Sequence, residues 1–505
     1  MTAPVTLRSF AVTATAAFLA ACAVGPDYRA PEAPAVGLYT EKPQPEQTEA
    51  APVRGGEVQR FEAGAKISAE WWTLFGSSEL DNLMRTALTS HPTLAAAQAA
   101  LRQAEENLNA QYAVLYPSVD ASLSAKRQRI TGAAFGNPAI PTNVFNLYNA
   151  SVSVSYSIDL AGGARRELEA LQAGIDFQRF QLEAAYLSLT GNVATTAFRE
   201  ASLREQIRAT RDIVDSQDRQ AQLVEKQFEL GALSRGDVLA QRAQLAQTRA
   251  NLPPLEKALA QTRNQLAVLI GKFPDEARLP ELDLSAFRLP QNLPVSLPSD
   301  LVRQRPDIRS AETVLHQTNA RIGVAQALMF PQLTLSGSFG RAATRSSELF
   351  SDPGTQIWNL GASLLQPIFH AGQLQARKRG AEAAYDQAFA QYQQTVLSAF
   401  QNVADVLFAL EFDAVALKAQ ADAESAARES LDMTMKQLQF GSASYLALFN
   451  AQRQYEQAKI GLVQAQAARY ADTAALFQAL GGGWWSRDER TKTGSEKEIL
   501  RSRIR

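Results

Sequence analysis

The sequence predicts a mixed α/β membrane protein, mostly helical, assembled from two copies of one repeat. Three observations carry that expectation. Blocks recur along the chain: Lys226-Gln227-Phe228-Glu229-Leu230-Gly231 returns as Lys436-Gln437-Leu438-Gln439-Phe440-Gly441, and Leu269-Ile270-Gly271 as Ala479-Leu480-Gly481, both 210 residues on. Upstream, His91-Pro92 matches Arg305-Pro306 and Tyr116-Pro117 matches Phe330-Pro331, both at 214. Four segments alternate apolar and polar residues, and two proline-free stretches are long enough for very long helices. The four-residue drift falls among the alternating segments, where loop lengths change cheaply.

Residues 1–21 read as a lipoprotein signal peptide. Arg8 supplies positive charge, Phe10 to Ala20 an apolar stretch too short to span, and Leu19-Ala20-Ala21-Cys22 a bacterial lipobox. Cleavage before Cys22 would free an amine for an acyl chain beside a thiol carrying diacylglycerol. No other cofactor is expected. Ala23, rather than Asp, after the cysteine favours sorting to the outer membrane. Cys22 is the only cysteine, so no intrachain disulfide is possible. Residues 22–70, rich in Pro, Glu, Ala and Gln, read as an extended lipid-anchored tether.

The first repeat covers residues 71–272 and the second 301–481. In the first, a helical pattern from Glu79 to Leu115 stops at Pro117, and a β-hairpin follows over 118–160. Val119, Ala121, Leu123 and Ala125 share one strand face; so do Tyr148, Ala150, Val152, Val154, Tyr156 and Ile158. The second hairpin, 332–368, places Leu333, Leu335, Gly337 and Phe339, then Trp358, Leu360, Ala362 and Leu364, against Ser-rich faces. We read Val152, Val154, Tyr156, Leu333, Leu335, Trp358 and Leu360 as lipid-facing. Residues 127–143 and 341–355, with their Pro and Gly, read as external loops.

Long helices are predicted over 163–230, 235–270, 372–440 and 444–480. The first of these would run about 100 Å. Leu168, Ile175, Leu182 and Leu189 recur every seven residues, as do Val238, Leu245, Leu252, Leu259 and Leu266. The second copy reads Leu448, Tyr455, Leu462, Arg469 and Leu476. Strict sevens predict coiled-coil packing. Pro253-Pro254 interrupts only the first copy and predicts a break there. The Pro-rich linker 273–300 and the charged tail 482–505 are expected outside the helical wall, the last fifteen residues mobile.

Composition excludes several classes. Fifty Lys and Arg balance fifty-one Asp and Glu, so nothing supplies the basic excess that nucleic acid requires. Past the N-terminus no uninterrupted apolar run approaches the ~18 residues of a membrane helix. His91, His316 and His370 lack metal spacing, and the five Met do not cluster. No phosphate loop or nucleophile elbow occurs, so no enzyme is expected. Arg235-Gly236-Asp237 reads as a turn into a helix, with Asp237 in its first turn.

Four strands cannot close a barrel, for which about eight is the minimum. An open sheet in lipid leaves edge amides unpaired, at several kcal/mol each. Several chains must therefore share one barrel; three would supply twelve strands, and the expected assembly is a homotrimer set in outer-membrane lipid.

Cys22-Ala23-Val24-Gly25-Pro26-Asp27-Tyr28, Trp71-Trp72, Leu252-Pro253-Pro254-Leu255-Glu256, Arg305-Pro306-Asp307-Ile308 and Ala479-Leu480-Gly481-Gly482-Gly483-Trp484 resemble the NodT/OprM branch of the TolC outer-membrane factors. The resemblance covers nearly the whole mature chain. It implies a trimeric channel-tunnel: a 12-stranded outer-membrane β-barrel continued by a periplasmic barrel of coiled-coil helices, with 273–300 as an equatorial-type linker. It implies docking onto a periplasmic adaptor and an inner-membrane pump of the resistance-nodulation-division type. The helix tips at Gly231–Asp237 and Gly441–Leu446 would form the periplasmic mouth, with Gly231, Asp237, Gly441 and Tyr445 as docking positions. Leu446 would give an apolar gate ring, Asn450 a polar ring and Arg453 an ionic lock to a neighbouring helix. The family commonly has Asp at position 450 and an acid at Ala447, so a ring of Asn450 would hydrogen-bond without like-charge repulsion. A protein-secretion duct and a structural coiled-coil lipoprotein are the alternatives.

Overall fold

The computed structural model describes residues 23–137, 139 and 141–486. The signal peptide 1–21, Cys22, Pro138, Ile140 and the last nineteen residues, with the expected mobility of the final fifteen, lie outside them. The described chain contributes to two compact units, divided after Pro31 and inside four helices.

One unit holds a four-stranded antiparallel sheet in the order β2-β3-β5-β6. Its strands are β2 Ser118–Ile130, β3 Asn143–Ile158, β5 Gln332–Ala343 and β6 Gln356–Leu365. Each runs past its strictly alternating core, so the connecting loops are shorter than expected. Lys126, Arg127, Gln128 and Arg129 stay in register with β3 although they no longer alternate. Backbone pairing carries the strand beyond the point where side-chain pattern can signal it.

The helices are α1 Ser78–Ser90, α2 Pro92–Tyr112, α3 Gly163–Glu229, α4 Arg235–Ala250, α5 Leu252–Leu269, α6 Pro298–Gln304, α7 Pro306–Ala327, α8 Gln373–Gln439 and α9 Tyr445–Ala479. Proline sets three of the breaks. The single helix expected from Glu79 divides at His91, because Pro92 starts a new one. Arg305 and Pro306 divide α6 from α7 in the same way. Pro253 and Pro254 occupy the first turn of α5, so the expected 235–270 helix is two helices meeting at Asn251. Its copy, α9, runs unbroken.

The other unit holds the main hydrophobic core. Trp71 stacks on Phe477 at 5.4 Å, and Phe75, Phe198, Phe287 and Tyr470 pack as a ring cluster. Each such buried side chain contributes roughly 1.5–3 kcal/mol. Alpha-helix α8 supplies Val403, Leu407 and Leu410. One 18-residue window of α8 reaches a mean hydropathy of 1.2, which corrects the expectation that no segment is apolar enough to span. Isolated Gln, Asn and Asp break every apolar run in this Ala-, Leu- and Phe-rich helix, but an average passes over them.

Three non-periodic segments depart from expectation. The tether is docked: β1 Arg60–Ala63 pairs in parallel with β4 Asn292–Val295. Gln59, fully buried, donates to the Pro290 carbonyl and to Thr473, both at 3.0 Å. The linker carries core residues that its irregular sequence did not signal: Leu282, Leu284, Phe287, Leu289 and Leu293 are all buried. Buried Glu200 holds it, accepting from Arg204 at 2.6 Å, Arg263 at 2.8 Å and the Leu282 amide at 3.2 Å. The tail begins folded: Trp484 donates to the Gln304 carbonyl at 2.7 Å and Ser486 to that of Ile67 at 2.8 Å.

Candidate functional site

The sheet sorts its two faces row by row. Val119, Val154, Gly337 and Leu360 form one register row; Ala121, Val152, Phe339 and Trp358 form the next. Tyr156 pairs with Leu335, and Ile158 with Leu333. All seven residues read from the sequence as apolar-facing therefore share one face. The face is bare in the single chain: Trp358 is 73% exposed and Leu360 83%. The opposite face carries Ser118, Ser155, Ser336 and Gly361, then Asp120, Ser153, Ser338 and Asn359. Strands β2 and β6 each have a neighbour on one side only.

The second candidate region is the pair of helix tips. Helix α3 ends at Gly231, whose φ of 77° suits the left-handed turn. The Gly231 amide donates to the Phe228 carbonyl and the Ala232 amide to that of Gln227, closing the helix end. Ser234 then caps α4 in a reciprocal box with Asp237. Gly441, at φ 73°, ends α8 with the same bonds from its own amide and that of Ser442. Ser444 caps α9 through the Ala447 amide.

The tips are joined by Tyr445, whose hydroxyl donates to Gln227 at 2.6 Å. Burial, and then the Asp237 carboxylate, push the Tyr445 hydroxyl up from its ordinary pKa. Leu446, Asn450 and Arg453 stand one turn apart along the exposed face of α9, with Leu446 67% exposed. Leu448, Phe449 and Gln452 form the buried face. Within this chain Arg453 donates to Asn450 on its own helix. That is a contact within one helix, not an ion pair to a neighbouring helix.

Two functional-looking residues escaped the sequence reading. Arg469 occupies a core position of the seven-residue repeat yet is fully buried. It donates to the carbonyls of Leu410 at 3.3 Å and Glu57 at 3.1 Å, holding the N-terminal segment. The charge in a Leu register was the available signal. Asp472, one turn further on, is pushed up to about 7 by burial and by Asp413 beside it.

An open amphipathic sheet on one chain with paired long helices defines the channel-tunnel class, the TolC-like fold. The chain belongs to the outer membrane efflux protein family, whose model matches residues 83–272 and 297–482. It is 32% identical over 444 residues to the pyoverdine export outer membrane protein OpmQ of Pseudomonas aeruginosa, covering 86% of this chain and 92% of that one. It is 28% identical to the probable outer membrane lipoprotein SilC of Salmonella typhimurium over 82% of this chain and 88% of SilC. Among solved structures, the outer-membrane channel OprN superposes with a TM-score of 0.81 at 27% identity, covering 92% of this chain and all of OprN. The open state of MtrE from Neisseria gonorrhoeae gives 0.77 at 28%, covering 92% and 98%. The protein is thus an outer-membrane efflux channel component.

Proposed function

We propose that three copies complete a twelve-stranded barrel and passively conduct small toxic molecules outward, for a periplasmic adaptor and an inner-membrane pump of the resistance-nodulation-division type. The observation that carries this is the open sheet, with a lipid-compatible face and two unpartnered edges. Edge amides left bare in lipid cost several kcal/mol each, and pairing β6 of one copy with β2 of the next removes that cost. The polar rows of Ser, Asn and Asp would then line a wetted lumen. Cys22 would carry the diacylglycerol and the N-acyl chain. Relatives named for toluene, antibiotic and pyoverdine export support efflux of small molecules over protein secretion.

At the tips, Leu446 would form an apolar constriction, Asn450 a neutral polar ring and Arg453 an ionic lock to a neighbouring helix. Gly231, Asp237, Gly441 and Tyr445 would present the tip surface to the adaptor. Purified protein should form ion-conducting pores in planar bilayers, and a deletion strain should become sensitive to antibiotics, dyes or detergents. Absence of pores would favour the structural lipoprotein; unchanged sensitivity to the whole panel, with an intact pump and no redundant duct, would contradict efflux.

A further inference from the structure

The residues that follow Cys22 are seated in a cradle that the efflux reading does not explain. Arg166, near the start of α3, has a side chain only 7% exposed. It donates from Nε to the Val24 carbonyl at 3.2 Å, and from Nη2 to the Gly25 carbonyl at 3.3 Å and to Asp27 at 2.8 Å. Its Nη1 donates to Glu169 at 2.7 Å. Glu169 also lies 2.9 Å from His316 on α7, and the His316 ring stacks on Tyr28 at 4.3 Å. The Val24 amide donates to the Ala161 carbonyl at 3.0 Å.

Close backbone approach completes the seat. A Cβ on Gly162 would lie 2.5 Å from the Cα of Ala23, and one on Gly25 would lie 2.5 Å from the Cα of Gly323. A Cβ on Gly323 would meet the Val24 carbonyl at 2.9 Å. Real Cβ atoms do not approach so closely, so any side chain at these positions would lift the segment off. One cationic side chain with four acceptors and two glycine notches is more than chance contact requires. Both repeats contribute, α3 from the first and α7 from the second.

We propose that residues 23–28 are a strap which this cradle clamps, fixing the point at which the acylated N-terminus leaves the fold beside the β3–α3 junction. The partner of the cradle is the chain's own N-terminal segment. The proposal rests on the lipidation of Cys22 for its purpose, but the clamp itself does not depend on the lipid. Cys22 is bonded to Ala23, and Ala161 lies three residues past the end of β3. The acyl chains would therefore enter the membrane next to the sheet, and not from the end of a free tether.

The test uses the full-length protein and trypsin, which can cut after exposed Arg29. Mass spectrometry of the N-terminal peptide reads both cutting and acylation. Wild type should resist, Arg166→Ala and Gly323→Val should be cut at least tenfold faster, and Arg166→Lys should fall between. Pore formation by each variant checks that it has folded. A Cys22→Ser form, exported through an ordinary signal peptide, should remain protected. Cutting of wild type at the Arg166→Ala rate, or loss of protection in Cys22→Ser, would overturn the clamp. An unacylated wild-type N-terminus with protection intact would instead sink the lipidation reading and leave the clamp standing.

Discussion

Gly231 and Gly441 end two helices of 67 residues each, and the chains that follow share a backbone but diverge in chemistry. The first tip closes on a Ser234–Asp237 box; the second has Ser444 but Ala447 where the acid would be. At the positions of Leu446, Asn450 and Arg453 the first copy carries Gly236, Ala240 and Ala243, all exposed. The same contrast continues along α9. Arg469, Asp472 and Asp413 stand where the first copy has Leu259, Thr262 and Leu203. The two copies share what folds the turn and differ in the side chains they expose. The first copy kept the better cap, and the second kept the side chains a gate would use.

Breaking the shared part should have the largest effect. Gly231→Val or Gly441→Val forces a branched side chain into a left-handed turn, at about 1–2 kcal/mol. Both should lower the thermal midpoint by similar amounts; a loss confined to one tip would show that the turns are not equivalent. Next comes the cap. Asp237→Ala should cost about 1 kcal/mol, and Ala447→Asp should recover part of such a gain in the second copy. Hydrogen exchange at α4 and α9 amides reads both directly.

The gate residues should separate from the stability residues. Leu446→Ser and Arg453→Ala should raise single-channel conductance severalfold with little change in melting, whereas Ala243→Ser, at the first-copy site that matches Arg453, should change neither. Unaltered conductance in both second-tip variants would remove the gate from α9. The smallest expected effect is pH-dependent. Asp472 is raised in the fold to about 7 from 3.8, so the folded chain binds more protons than the unfolded one between those values. Stability should therefore fall as pH rises from about 4 to 7, and Asp472→Asn should flatten that slope. A wild-type profile already flat there would deny the carboxyl pair its raised proton affinity.

Much of this was readable because it is periodic. Serine alternation marked the polar faces on which the fold pairs Ser122 with Ser151, and the sevens found Leu168, Ile175, Val238 and Leu245, all buried. Pro253-Pro254 marked a break, whereas the breaks at Pro92 and Pro306 emerged only in the fold. What stayed hidden were long-range contacts of segments without period. Nothing local in Gln59 foretells Pro290 and Thr473, or in Phe287 an aromatic neighbour at Phe198. Arg166 and His316 are unremarkable in their helices, and only the fold brings them to Asp27 and Tyr28. Leu446, Asn450 and Arg453 were picked out by resemblance, and the fold sets them on one exposed face of α9.

The number of chains in the membrane particle tests the central claim most directly. Light scattering or native mass spectrometry of the detergent-solubilised protein should find three copies per particle, with β2 and β6 amides protected from exchange. A stable monomer with those edge amides exchanging freely would contradict the account.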